Sequence, residues 1–188
     1  MAHSLYFSII IGRELKMRKI CLYVMMASFI TLIVTACSTG NSIKDISQTL
    51  NVDVSNAIIL QNLDSHAGFH GDGSTYIEME FGDDENIVFV EELENNTSWS
   101  KLPLTDNLNI AVYGKKTISE SIGPFVINDK GDACFPLVDN GYYFFLDRNS
   151  ESKDEKDDTN LLNRNSFNFT VAIYDIDKKV LHYYELDT

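Results

Sequence analysis

Phe167-Asn168-Phe169-Thr170-Val171-Ala172-Ile173-Tyr174, followed beyond Asp175 to Lys179 by Val180-Leu181-His182-Tyr183-Tyr184-Glu185-Leu186, is the stretch that decides the fold. Phe167, Phe169, Val171 and Ile173 alternate with Asn168, Thr170, Ala172 and Tyr174, and a period of two places alternate side chains on opposite faces of a strand. The polar segment Asp175 to Lys179 reads as a turn, so the two runs predict a hairpin. Moving outward, Asn140-Gly141 reads as a turn opening a further strand, Tyr142-Tyr143-Phe144-Phe145-Leu146. Thr75, Ile77, Met79 and Phe81 alternate with Tyr76, Glu78 and Glu80 as a half-buried strand, and Val52, Val54 and Ala57 to Leu60 predict the first strand.

Elsewhere the period changes. Asp83 and Asp84 are candidate N-caps, Glu85 lies in the first turn, and Ile87, Val90 and Leu93 recur at spacings of three, which predicts a helix to about Glu94. A short strand over Ile87 to Val90 competes with it, because that stretch is β-branched and aromatic. Trp99 to Leu104 reads as extended chain, Leu108 to Tyr113 as a short helix or strand closed by Gly114, and Asn149 to Asn160 as a charged loop. The expected fold is α+β: an antiparallel sheet of about five strands with one or two helices packed on one face.

The amino-terminal region obeys different rules. Met17-Arg18-Lys19 precedes an uncharged apolar run of 15 residues, Ile20 to Val34, which ends in Val34-Thr35-Ala36-Cys37. Basic residues, an apolar core and a small residue at the cut describe a secretory signal peptide. Fifteen residues fall short of the roughly 20 needed to cross a hydrocarbon core, and Ser38 to Ser42 is small and polar rather than basic. With Val34, Thr35, Ala36 and Cys37 in this order, the segment resembles a bacterial lipoprotein precursor. The resemblance implies cleavage after Ala36, a diacylglyceryl group on the Cys37 sulfur, and acylation of the new amino terminus with palmitate-class chains. It also implies an exported protein anchored to the outer face of a bacterial cell membrane, or to the outer membrane where the envelope is double. Two or more acyl chains hold a protein stably where one gives only marginal binding.

Leu5 to Ile11 forms a second apolar patch before the basic group, so residues 1–16 are expected to be an upstream extension, with 17–36 as the signal. Residues 37–50, rich in Ser, Thr, Asn and Gly, are expected to be a flexible tether, and 51–188 a single α+β domain. Residues 1–36 hold four of the 15 basic and one of the 28 acidic residues, which leaves 11 against 27 and a net charge of −16 on the remainder. Such a charge argues against nucleic acid and leaves the lipid on Cys37 as the membrane contact. The resemblance implies that Cys21 departs with the signal and that Cys37 is blocked by its thioether, so no disulfide within the chain is expected for Cys134.

One segment invites a chemical reading. Asp64-Ser65-His66-Ala67-Gly68-Phe69-His70-Gly71-Asp72-Gly73 gathers two histidines, two aspartates and three glycines, and His66, His70 and Asp72 are the candidate metal ligands, with Asp64 beside them. Against this, a Gly-rich connection does not place two histidines on one face as a helix would, and a hairpin loop accounts for the same residues. Ser98-x-x-Lys101 and Ser150-x-x-Lys153 lack the partners of an acylation site, and Gly114-Lys115-Lys116-Thr117 lacks a P-loop's leading glycine. The run Asp154 to Asp158 has no ordered ligand spacing for calcium. Arg148 and Arg164, the only arginines after residue 36, read either as anchors for an anionic ligand or as partners of acidic neighbours. Tyrosines on an outward strand face would offer a recognition surface.

From Leu63 to Thr188 the body, with GFHGDG, NGYYFFLDR and NFTVAIYD in that order, resembles small uncharacterised bacterial proteins, which implies a unit domain and no known activity. No catalytic set is recognisable and no cofactor is implied, so the chain is expected to be a binding or interaction module with a protein or small-molecule partner rather than an enzyme. A metal-dependent hydrolase built on His66, His70 and Asp72 is one alternative. An inhibitor or immunity-type protein whose acidic face covers a basic partner is another.

Overall fold

A computed structural model describes residues 43–66, 71–128 and 130–188. The expected extension 1–16, signal 17–36, lipidation site Cys37 and candidate ligand His70 lie outside the described residues. In chain order the elements are α1 (Ile43–Leu50), β1 (Ile58–Asp64), β2 (Gly73–Glu80), α2 (Asp83–Asn95), β3 (Trp99–Lys101) and α3 (Asp106–Tyr113), then a small hairpin of β4 (Lys115–Lys116) and β5 (Ser121–Ile122). β6 (Gly141–Asp147), a 3₁₀ turn at Leu161–Asn163, β7 (Asn168–Asp175) and β8 (Val180–Asp187) complete them.

The architecture is α+β, built on an antiparallel sheet of six strands in the order β1-β2-β8-β7-β6-β3. The sixth strand arises because Trp99–Lys101, expected as extended chain, pairs with Tyr142–Phe144. β7 and β8 form the expected hairpin, in register from Asn168 opposite Asp187 to Asp175 opposite Val180. Both faces of this central pair are buried, because each has its own cover. On one face Ile77, Met79, Phe144, Tyr174, Leu181 and Tyr183 pack against α1 and α2. On the other, Tyr76, Phe145, Phe169, Val171, Ile173 and Tyr184 pack against α3 and the chain around Val126 and Phe135. Two helices therefore share one face, and a third lies across the sheet from them.

Several local expectations change. Residues 43–50 of the expected tether are helical, and Ile46 and Leu50 have no exposed surface. Ile43, Ile46 and Leu50 fall on one helix face, an apolar stripe hidden by the polar residues between them. The helix stops where Asn51 takes a left-handed φ of 53°, and Ser47 Oγ accepts from the Val54 amide at 3.2 Å, tying the exit to the helix. β1 begins at Ile58 rather than Val52; Val52 and Val54 are buried in the connection instead.

α2 is the predicted helix and not the competing strand, but its N-cap is Gly82 rather than Asp83 or Asp84, which lie in the first turn with Glu85. Its buried face is Phe89 and Leu93, while Ile87 is exposed. The Phe89 ring stacks on Phe81 at 4.2 Å and meets Tyr174 edge-on at 4.9 Å, so tertiary packing of one large aromatic fixes the helix rotation. Leu108–Tyr113 resolves as helix: Thr105 Oγ1 caps the Leu108 amide, and Gly114 ends it at φ 78°. The tyrosines of the central strands do not form an outward surface, since Tyr142, Tyr174, Tyr183 and Tyr184 are buried and Tyr143 is half-buried against the core on the α3 side.

Candidate functional site

The loop after β1 brings His66 back over the sheet end. A Cβ at Gly73 would lie 2.6 Å from His66 Cα, so only glycine permits this approach. His66 Nδ1 lies 2.7 Å from Asp64 Oδ1, and Nε2 lies 3.3 Å from Asp187 Oδ2 at the end of β8. Asp187 also accepts from Arg148 Nη1 at 2.8 Å, Arg148 Nη2 reaches Glu185 Oε1 at 3.0 Å, and the Tyr183 hydroxyl donates to Glu185 Oε2 at 2.8 Å. Partial burial disfavours charge on His66, but its hydrogen bonds and ion pairs with Asp64 and Asp187 outweigh burial and raise its pKa. Burial acts to raise Asp64, yet the bonds from His66 hold it below the ordinary carboxylate range.

Both ring nitrogens of His66 face carboxylates, whereas a metal-bound imidazole keeps one nitrogen for the metal. Asp72 is exposed and outside this chain of contacts, and His70 lies outside the described residues. Among the described residues no group of three His, Cys, Asp or Glu side chains is placed to hold a metal ion. Both arginines pair with acidic neighbours: Arg148 as above, and Arg164 through a two-pronged contact with Asp147 at 3.0 and 2.6 Å, with both side chains buried. Asp187 carried no local signal, because it meets a loop 121 positions away.

The second candidate surface is the outer side of β1. All seven of its residues are exposed, and four are large and apolar: Ile58, Ile59, Leu60 and Leu63. The strand lies at the sheet edge, and among the described residues no backbone hydrogen bond is made to its outer side. A register shift between Ile59 and Gln61 kinks it midway.

Beside this edge lies a pocket of about 420 Å³. Gln61 and Leu63 of β1 form its outer wall, Tyr76 and Glu78 of β2 and His182 of β8 its base, and Cys134 and Phe135 its far side. Tyr76 donates to Glu78 Oε2 at 3.4 Å and lies 3.0 Å from His182 Nδ1. His182 Nε2 has no hydrogen-bond partner among the described residues, and burial depresses the pKa of this imidazole to about 4. Cys134 is half-buried there.

Comparison with protein-family models, with curated proteins and with solved structures gives no match. Among the described residues no helix is long and apolar enough to cross a membrane.

Proposed function

We propose that this chain is a binding module, displayed by a lipid on Cys37 at the outer face of a bacterial membrane, that captures an extended segment of a partner protein along β1. The observation that carries this reading is the open seven-residue edge with its four exposed apolar side chains. An unpaired edge is a ready template for one more strand, and sheets not meant to pair shorten, charge or cover it. The anchor is supported by Met17 to Cys37 alone, and the acidic surface of the remainder is consistent with attachment through acyl chains rather than charge.

The test is selection of binders from a random dodecapeptide library on the purified chain. Selected peptides are expected to lose binding when N-methylated at one alternating set of backbone positions and to keep it when methylated at the other, the signature of an added strand. Ile59→Lys with Leu60→Lys is expected to weaken them at least tenfold while leaving stability within about 0.5 kcal/mol. Absence of any selected binder, or binding indifferent to both changes, overturns the reading. The anchor is tested separately: labelled palmitate enters the wild-type protein, and incorporation that survives Cys37→Ala removes it.

A further inference from the structure

We infer that the pocket behind β1 receives a long cationic side chain, lysine or arginine, from the captured segment; this rests on the strand-pairing reading above. The pocket offers acceptors. In the tautomer that lets the Tyr76 hydroxyl donate to Glu78, His182 donates to the Tyr76 oxygen from Nδ1–H. His182 Nε2 then carries a lone pair, and it is unpartnered in a side chain only 3% exposed. Glu78 is half-buried, faces no cation in any ion pair among the described residues, and has His182 directly across from it on β8. A carboxylate and an imidazole lone pair side by side call for a donor that brings positive charge.

Geometry selects the length of that donor. Gln61 pairs with Glu78, so a strand added outside β1 lies two strand spacings from Glu78, about 9.6 Å. Lysine and arginine extend about 6 to 7 Å from Cα and glutamate about half that, so only a long cation closes the gap across Gln61. Leu63, on the same strand face as Gln61, lies along the stem of such a side chain. The apolar rings of Tyr76 and Phe135, with centroids 6.0 Å apart, line the pocket and favour a cation over a neutral amide.

The experiment uses the selected dodecapeptides on the full mature chain. Lysine or arginine is expected at the position facing Gln61, and replacement of the lysine by norleucine, which keeps its four-carbon stem and lacks the ammonium, is expected to weaken binding about fivefold or more. Glu78→Gln is expected to erase that difference while leaving the norleucine peptide's affinity unchanged. Raising salt from 0.05 to 0.5 M is expected to weaken the lysine peptide and spare the norleucine peptide, a readout that needs no variant. Peptides that pair as strands but bind equally with lysine and norleucine overturn the pocket assignment and leave the edge reading standing. A preference for lysine that persists in Glu78→Gln also overturns it. Failure to select any binder overturns both.

Discussion

At one edge of the sheet, β3 is three residues long, ends in Lys101 and has Trp99 buried beneath it. The Trp99 indole donates to the Leu50 carbonyl at 2.9 Å, and the rest of β6 is covered in turn, its Asp147 amide donating to the Glu155 carbonyl at 2.7 Å and its Gly141 carbonyl accepting from Leu102 at 3.0 Å. At the other edge, β1 is seven residues long, apolar and exposed. Among the described residues the means to close an edge are thus applied on one side alone, since shortness, lysine and a covering loop are the devices that prevent strand addition. An open edge kept beside a closed one is a surface left for a partner, and the kink at Ile59 to Gln61 limits how regular a strand can add there.

The sharpest way to break this contrast is to open the closed edge. Trp99→Ala removes a buried indole that tilts against Phe144 at 5.6 Å and unties the bond to Leu50, which holds α1 on the sheet. We expect a loss of about 3–5 kcal/mol in urea unfolding, a large part of the roughly 5–15 kcal/mol that holds a domain together. The same variant should gain strand-type self-association, read as concentration-dependent light scattering in low urea. A loss below about 1 kcal/mol would mean that Trp99 does not close the edge.

The second prediction probes what lies behind the open edge. Burial holds His182 near a pKa of about 4, so the fold keeps it neutral where the unfolded chain, near 6.5, has already taken up a proton. Stability therefore falls as pH drops from about 6.5 toward 4, by about 2–3 kcal/mol at the lower end. His182→Phe should flatten that part of the curve. Hydrogen exchange at pH 5 should speed up in β2 and β8, next to His182, before it does in β6 and β3. Equal acceleration at the two sides would sink the distinction.

How much of this was written in local sequence depends on how local the cause is. The β7–β8 hairpin was legible because alternation and turn chemistry are both contained within twenty residues. α1 was not, because three apolar residues in a polar run gain meaning only once Trp99 and the sheet are there to bury them. Phe89 was passed over for Ile87 because a spacing of three fits both faces, and the choice is made by Phe81 and Tyr174, the latter 85 positions away. The openness of β1 is a property of strand order, since β2 covers its inner side and among the described residues no strand pairs with its outer side, and no spacing within β1 records it. His66 stood out by composition, but its partner Asp187 is 121 positions on, so a reader of the loop alone pairs it with His70 and Asp72 instead.

The smallest predicted effect concerns how the open edge is pinned. His66 joins Asp64, the last residue of β1, to Asp187 at the end of β8, so it holds the edge strand to the sheet centre across β2. Its pKa is raised in the fold, so the folded protein keeps the proton over a range where the unfolded chain has released it. The link contributes fully below about 6.5, the unfolded value, and is lost as pH rises through the raised folded value, opposite in sign to His182. Urea unfolding of wild type and His66→Asn should therefore differ most near pH 6 and converge by pH 9, once the imidazole is neutral in both states. Because Arg148 holds Asp187 independently, the strand end should stay in place, and only β1 should exchange faster in the variant. A difference that stays constant from pH 6 to 9 would show that His66 acts there by packing rather than by charge.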